Sequence, residues 1–226
     1  MAGDLVIPVT LVVIAKAPVA GQAKTRLAAT IGDEAAAAVA AATLLDTLDA
    51  VEATPVEARV VAITGDLGQA SSSRQIRSRL AYVHVIEQRG DDFSARLSNA
   101  IVDGAVAAGP RPVLLIASDT PQVTPELLGE CAHALLATDV VFGLARDGGW
   151  WVLGVTEPAM ADCLNTIPTS RSDTGPATLE ALRDKGLAVK LVAELSDVDT
   201  IDDVELVRGQ CAPDSRFVRA ITAAGL

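Results

Sequence analysis

Short runs of β-branched residues alternate with longer alanine- and leucine-rich segments along the chain, and this alternation constrains the fold more than any other feature. The runs favour strands and the longer segments favour helices. We predict strands at Val9–Ala15, Arg59–Thr64, Tyr82–Glu87, Pro112–Ala117, Val140–Gly143, Trp151–Val155 and Val189–Val192. We predict helices at Asp33–Val51, Leu67–Arg79, Phe93–Ala108, Pro125–Ala137, Pro176–Lys185 and Ile201–Gly209. This order predicts an α/β fold with a mostly parallel central sheet and helices on both faces.

The length and composition limit the class of protein further. A chain of 226 residues, 50% of them hydrophobic, is long and apolar enough for one large core, so we predict a single domain over residues 1–226. Aromatic residues make up only 3%, so that core must be mainly aliphatic. The net charge of −11 argues against a nucleic-acid partner, because phosphate backbones are bound by basic surfaces. The alanine-rich surface is compatible with a homodimer, although no sequence feature decides this.

The cysteines and the start of the chain indicate a reduced, cytoplasmic protein. Cys131, Cys163 and Cys211 are far apart and form no C-x-x-C motif, so neither a zinc site nor a disulfide framework is indicated. The apolar start contains Asp4, has no basic region before it and ends at Lys16 after too few residues to span a bilayer. We therefore interpret it as a buried first strand, and expect neither a signal peptide nor a membrane span.

The loop after the first predicted strand concentrates positive charge in an acidic chain. In parallel sheets, ligands bind beyond the carboxyl ends of the strands, so this loop is a natural place for one. Lys16, Lys24 and Arg26 can offset phosphate charge, and Gly21 allows close backbone approach. We predict that the loop binds the phosphates of a nucleotide, with a solvated basic turn as the alternative. The predicted binding residues are Ala15, Lys16, Pro18, Gly21, Lys24 and Arg26.

Acidic residues follow two other predicted elements. Asp119 comes directly after the apolar run that forms the fourth strand, a suitable position for a hard cation such as Mg²⁺ or Mn²⁺. The alternative is that Asp119 caps the following helix. Asp197 and Asp199 alternate along an extended segment, so we expect only one of them to face the site. A second metal carboxylate at Asp199 requires the fold to bring it near Asp119, while Thr200 and Asp203 resemble a capping box.

The segment Arg146–Trp151 joins an acid, two glycines and both tryptophans of the chain. Paired glycines suit a backbone that passes close to a ligand, and tryptophan suits a sugar or base platform. The alternatives are a simple Asp-Gly hairpin turn and tryptophans that anchor the core. The predicted residues on the sugar and acceptor side are Asp147, Gly148, Gly149 and Trp150.

Two further loops are candidates for ligand contacts. In the first, Gln88, Gly90 and Arg96 follow the third predicted strand, where they can contact a base or ribose, and the alternative is a surface turn. The second, Thr166–Gly175, is polar and rich in turn-forming residues, and we predict that it is a mobile loop.

Taken in order, these segments resemble a family of uncharacterised, glycosyltransferase-like bacterial proteins of the GT-A superfamily. The resemblance covers about Val9 to about Val207 and rests on IAKAPVAGQAKTRLA, DTL at Asp46–Leu48, QRGDDFSARLSNAI, LLIASDTP, ARDGGWWVLG and SDVDTIDDV. The fold is similar to that of nucleotide-diphospho-sugar transferases and of the molybdenum-cofactor and phospholactate guanylyltransferases. The resemblance implies a Rossmann-like GT-A fold, a nucleotide in the first loop, and a divalent metal on Asp119 with Asp199 as the second carboxylate.

The chain departs from this family pattern at three positions. The D-x-D motif of glycosyltransferases is absent after the fourth strand, where only Asp119 stands. Ala117 stands where the family often has glycine. The aromatic I-P-W-S element is replaced by Ile167-Pro-Thr-Ser170, so we expect acceptor contacts in that loop to differ or to be lost.

These residues and the resemblance predict one of three functions. The first is a metal-dependent glycosyltransferase that holds a nucleotide-sugar with Lys24, Arg26 and a cation on Asp119, with the Asp147 loop facing a small-molecule acceptor. The second is a nucleotidyltransferase that uses a nucleoside triphosphate and releases pyrophosphate. The third is a catalytically silent nucleotide-binding or scaffold protein. For either enzyme, Lys24, Asp119 and Asp147 are the predicted catalytic residues.

Overall fold

The computed structural model describes residues 6–226, which form a seven-stranded sheet with helices on both faces. The strands are β1 (Ile7–Lys16), β2 (Val56–Thr64), β3 (His84–Glu87), β4 (Val113–Ala117), β5 (Val140–Leu144), β6 (Trp150–Val155) and β7 (Val189–Leu191). Their order across the sheet is β3-β2-β1-β4-β6-β5-β7. Only β6 among these strands runs antiparallel to its neighbours, β4 and β5, so the predicted mostly parallel sheet is confirmed.

Eight helices and one 3-10 segment cover the sheet in the part of the chain that is described. The helices are α1 (Thr25–Ile31), α2 (Asp33–Ala53), α3 (Ser73–Leu80), α4 (Phe93–Ala108), α5 (Pro125–Leu135), α6 (Thr174–Asp184), α7 (Ile201–Arg208) and α8 (Arg216–Ala223), with the 3-10 segment at Pro158–Thr166. Alternate residues of β1 enter opposite cores, because successive side chains of a strand point to opposite faces. Leu11 and Val13 join the core beneath α2 and α5, whereas Val12 and Ile14 join the core beneath α4.

Helices α5 and α7 begin at the residues predicted from the sequence, each directly after a capping residue. Thr124 accepts a hydrogen bond from the Leu127 amide, 3.2 Å away, and proline begins α5 as predicted. The capping box of Thr200 and Asp203 at the start of α7 is also confirmed. The prediction for Leu67–Arg79 was wrong in its first part. The helix begins only at Ser73, because Ser72 has a left-handed backbone that a continuous helix does not allow.

Residues 6–226 show several further features. Strand β3 lies at one edge of the sheet. The three cysteines are free thiols, two of them buried. No helix in this range is long and apolar enough to cross a membrane. The interpretation of Asp4 concerns a residue outside the described range.

Candidate active site

A cavity of about 530 Å³ opens at the carboxyl ends of β1 and β4, where ligands of parallel sheets bind. The predicted residues that line it are Ala15, Lys16, Lys24, Arg26, Gln88, Arg96, Asp119 and Asp199. Pro18, Gly21 and Gly90 lie outside the lining that the described residues form. Pro18 holds the loop instead, because its carbonyl accepts a hydrogen bond from the Ser71 amide at 2.9 Å.

Lys24 lies between two carboxylates that come from distant parts of the chain. Its Nζ donates to Asp119 Oδ2 at 2.9 Å and to Asp199 Oδ1 at 2.7 Å, and Arg26 pairs with the other oxygen of Asp199. The Val198 amide also donates to the Asp119 carbonyl at 3.1 Å, which joins the two segments through their backbones. The fold therefore brings Asp199 near Asp119, as a shared metal site requires.

The charges of this cluster depend on one another. Burial opposes the charged form of Lys24, but the carboxylates of Asp119 and Asp199 outweigh it, so the pKa of Lys24 is raised. Burial likewise opposes the charge of Asp199, but Lys24 and Arg26 outweigh it and lower the pKa of that carboxyl. Lys24 also has a left-handed backbone, with φ of 48°, immediately before α1. Non-glycine residues in this conformation cluster at functional sites, where surrounding contacts hold them.

Asp197 joins the cluster, so the expectation that only one of Asp197 and Asp199 faces the site was wrong. Carboxylate oxygens of Asp119, Asp197 and Asp199 all lie within 4.8 Å of one another. Strict alternation holds only in a regular strand, and residues 196–199 follow β7 as irregular backbone. Burial and the neighbouring carboxylates raise the pKa of Asp197 to about 7.

The donor set of this cluster fits a hard divalent cation. Magnesium and manganese prefer carboxylate oxygens, and three such groups converge here. The alternative role of Asp119 as a helix cap is wrong, because Thr124 caps α5. In this structure the ammonium of Lys24 supplies the positive charge that holds Asp119 and Asp199 together.

Gln88 and Gly90 fix the far wall of the cavity. The Gln88 side-chain amide donates to the carbonyls of Ala15, at 2.7 Å, and Ala62, at 2.9 Å, which ties the loop after β3 to the ends of β1 and β2. Gly90 has φ of 135°, and a side chain there would come within 2.9 Å of the Arg96 amide. The close packing of α4 against the loop therefore explains why a glycine stands at position 90. Arg96 lies at the cavity as predicted.

A second cavity of about 650 Å³ adjoins the first and shares Phe93, Arg26, Asp119 and Asp199 with it. Of the predicted acceptor-side residues, Asp147, Gly149 and Trp150 line it. Its other polar lining residues include Thr120, Asp197, Arg171, Ser172 and Thr174. The two cavities therefore meet at the carboxylate cluster, an arrangement with room for two ligands.

The Asp147-Gly148 turn connects the antiparallel strands β5 and β6, so the hairpin interpretation of this segment is confirmed. Gly148 does not line the second cavity within the described structure; it packs against the loop before α6. A side chain on Gly148 would come within 2.0 Å of the Ser172 carbonyl, and the Gly175 amide donates to the Gly148 carbonyl at 2.7 Å. Both tryptophans border the second cavity. Trp151 is buried and donates to the Ala193 carbonyl at 2.8 Å, so it also anchors the core, whereas Trp150 is partly exposed.

Several cavity residues were not predicted from the sequence, and Asp197 and Phe93 are the most informative of them. Asp197 was set aside by the alternation argument, although its D-x-D pattern with Asp199 was a visible signal. Phe93 is 46% exposed although phenylalanine is normally buried, and it lines both cavities. Its signal was an aromatic residue that directly follows a polar Gly-Asp-Asp loop in a chain poor in aromatics.

The fold and the position of the site define a Rossmann-like α/β protein with the fold of nucleotide-diphospho-sugar transferases. A crystal structure from Desulfovibrio desulfuricans G20, named "putative nucleotide-diphospho-sugar transferase", has a TM-score of 0.80 and 25% identity to this chain and covers 96% of each chain. The chain belongs to the bacterial family described as "uncharacterized protein conserved in bacteria (DUF2064)", whose match spans residues 47–171, more than half of the sequence.

More distant structures share the fold. Rv0371c from Mycobacterium tuberculosis, solved in complex with manganese, has a TM-score of 0.52 at 20% identity over 88% of this chain and 97% of its own. A nucleotidyl transferase from Methanothermobacter has a TM-score of 0.52 at 20% identity over 94% of this chain and 98% of its own. Among curated proteins, none matches this sequence.

Proposed function

We propose that this protein is a metal-dependent transferase that passes a sugar from a nucleotide-sugar donor to a small-molecule acceptor. The observation that carries the proposal is the group formed by Asp119, Asp197, Asp199, Lys24 and Arg26 where the two cavities meet. A charged cluster between two cavities suits a reaction in which a diphosphate is held while its bond to a sugar breaks. The name of the D. desulfuricans neighbour supports this reaction.

In the proposed reaction, the donor nucleotide lies in the first cavity and the acceptor in the second. An acceptor hydroxyl forms a bond to the anomeric carbon, and the bond from that carbon to the diphosphate breaks. The nucleoside diphosphate leaves with the bonding electrons, and the hydroxyl proton is released to water. Lys24 and Arg26 offset the negative charge that develops on the leaving oxygens.

Asp119, Asp197 and Asp199 would hold the divalent cation, magnesium or manganese. When bound, the cation supplies further electrostatic stabilisation of the leaving diphosphate. The manganese in the Rv0371c complex supports a metal in proteins of this fold. Asp147 and Trp150 lie at the second cavity, where they would contact the sugar or the acceptor.

Nucleotidyl transfer is the second candidate function. The same cations can hold a nucleoside triphosphate, with pyrophosphate as the leaving group. The Methanothermobacter neighbour, named a nucleotidyl transferase, and the single Asp119 in place of a D-x-D motif after β4 support it. The two reactions differ in the donor that binds and in the product that is released.

A thermal-shift screen tests these functions directly. The purified protein is heated with nucleoside triphosphates or nucleotide-sugars, each with and without Mn²⁺ or Mg²⁺, because a ligand of the native state raises the melting temperature. We expect a metal-dependent rise with one nucleotide-sugar. A rise with triphosphates alone would favour nucleotidyl transfer. If folded protein shifts with none of them, both enzyme functions are contradicted and a silent scaffold becomes the better explanation.

Arg26→Ala tests the proposed diphosphate contact. A charge-assisted hydrogen bond contributes about 1.5–3 kcal/mol, so we expect binding of a nucleoside diphosphate to weaken roughly tenfold or more. Binding of the corresponding nucleoside, which has no phosphate, should not change. Calorimetric titration of both ligands checks this, with Arg89→Ala as the control, because Arg89 pairs with Asp103 away from both cavities. If the variant binds the two ligands more weakly by the same factor, Arg26 does not contact the phosphates.

A further inference from the structure

The second cavity has a lining whose chemistry restricts its ligand. From this lining we infer that the acceptor is a hydroxyl-rich ring compound, such as a sugar, that is uncharged or positively charged and carries no phosphate or carboxylate. The inference rests on the proposed function, because it takes the second cavity as the acceptor site. Three independent observations support it: the pairing of the charges, a buried hydroxyl without a partner, and two aromatic side chains.

The positive groups of this cavity are not available to the acceptor. Arg171 donates through Nε and a terminal nitrogen to both carboxylate oxygens of Asp173, at 2.9 and 2.8 Å. Arg26, which pairs with Asp199, is the proposed contact of the donor diphosphate. Asp147, by contrast, has no ion pair within residues 6–226, and only its Oδ1 accepts a hydrogen bond, from the Gly149 amide at 2.7 Å. An unpaired carboxylate attracts hydroxyl and ammonium donors and repels an anionic acceptor.

Thr120 provides the second observation. It lines this cavity with 0% of its surface exposed to solvent, and its hydroxyl has no hydrogen-bond partner among the described residues. A buried hydroxyl without a partner costs about 1–3 kcal/mol, so such groups are normally satisfied. Thr120 has no solvent-exposed surface, so a ligand hydroxyl can donate to and accept from its Oγ1 only when the side chains above it move.

Phe93 and Trp150 give the cavity apolar surfaces. Phe93 is 46% exposed at the boundary between the two cavities, and Trp150 is partly exposed in the second. Binding sites combine such aromatic surfaces with a few well-placed polar groups that fix orientation. A sugar ring matches this combination, because it has apolar C–H faces and a rim of hydroxyl groups.

Three probes with the same ring test the inference: glucose, glucosamine and glucose 6-phosphate. Binding is followed by tryptophan fluorescence, since both tryptophans of the chain are in β6 beside the cavity. We expect glucose and glucosamine to bind, with glucosamine the tighter, and glucose 6-phosphate to bind about tenfold more weakly than glucose. Binding of glucose 6-phosphate at least as tight as that of glucose, or no binding of any probe, overturns the inference.

Variants separate the contributions of the lining. Asp147→Asn should abolish the preference for glucosamine over glucose, whereas Asp214→Asn, a change at an exposed site outside both cavities, should keep it. Phe93→Ala should weaken glucose and glucosamine about tenfold, whereas Tyr82→Ala, which removes an aromatic ring that is 79% exposed elsewhere, should not. If Asp147→Asn and Asp214→Asn give the same preference, the role of the carboxylate is excluded.

The nucleotide screen distinguishes failure of this inference from failure of the proposed function. It is performed on the same protein preparation. If nucleotides bind but the order of the sugar probes is reversed, only the acceptor class is wrong. If the protein binds no nucleotide, the proposed function itself is wrong, whatever the sugar probes do.

Discussion

Asp119→Ala is expected to leave the protein folded and to abolish the metal-dependent part of nucleotide binding. Without Asp119, Lys24 still pairs with Asp199 at 2.7 Å, so its buried charge keeps a partner. The side chain of Asp119 is 31% exposed, and its removal also relieves its repulsion of Asp197. The fold therefore loses little. A divalent cation, however, loses one of three converging oxygen ligands.

The size of the effect makes this variant informative. Loss even of groups that only orient metal ligands costs about 10–100-fold in metal affinity, so loss of a ligand should cost at least 100-fold. Calorimetry with Mn²⁺ in the presence of the nucleotide measures it, and circular dichroism checks the fold. Asp214→Ala, outside both cavities, is the control. Unchanged binding of nucleotide and Mn²⁺ by Asp119→Ala would exclude the proposed metal site.

At this site, features carried by residues close together in the sequence could be predicted, whereas contacts between distant residues could not. The loop after β1 was identified correctly as a cavity wall, because its position after a buried strand and its charge are both visible in the sequence. The pairing of Lys24 with Asp199 was not visible, since the two residues are 175 positions apart. Asp197 was misjudged because its segment lacks the regular geometry that the alternation argument assumes.

The same distinction between local and distant contacts applies to the fold. Five of the strands, β1, β2, β4, β5 and β6, were predicted because their apolar runs are buried in the sheet, a pattern that is visible in the sequence. Helix α8 was not predicted, because contacts that stabilise it come from residues far away in the sequence. Asp46 accepts hydrogen bonds from the amides of Arg216 and Phe217 at its first turn, at 3.2 and 2.8 Å. This contact also gives a structural reason for the acidic residue in the DTL element, which lies outside both cavities.

Lys24→Met is expected to lower the stability of the protein and to make that stability depend on divalent metal. Lys24 is 11% exposed and bonds to both Asp119 and Asp199, with Asp197 close by. Methionine keeps the apolar stem but removes the charge, so the carboxylates face one another without their central cation. Removing one partner of a buried ion pair costs about 3–5 kcal/mol, and the partial exposure of these aspartates reduces this to roughly 2–3 kcal/mol.

Thermal unfolding with and without Mn²⁺ measures this prediction. A loss of that size lowers the melting temperature of a chain of this length by about 5–10 °C. Mn²⁺ should restore most of it in Lys24→Met, because the ion replaces the missing charge on the same oxygens. In the wild type, Mn²⁺ alone should raise the melting temperature much less, because the ammonium of Lys24 already occupies Asp119 and Asp199.

The control for this variant is Lys16→Met. Lys16 lines the first cavity but is exposed, and its Nζ bonds only to the Gln22 carbonyl among the described residues, so its loss leaves no carboxylate without a partner. We expect this variant to match the wild type in stability and in its response to Mn²⁺. If Lys24→Met also behaves like the wild type, Lys24 does not hold the carboxylates together in solution. If Mn²⁺ alone raises the melting temperature of the wild type and of Lys24→Met equally, the metal binds elsewhere, because an ion at these carboxylates must compete with the ammonium in one protein and not in the other.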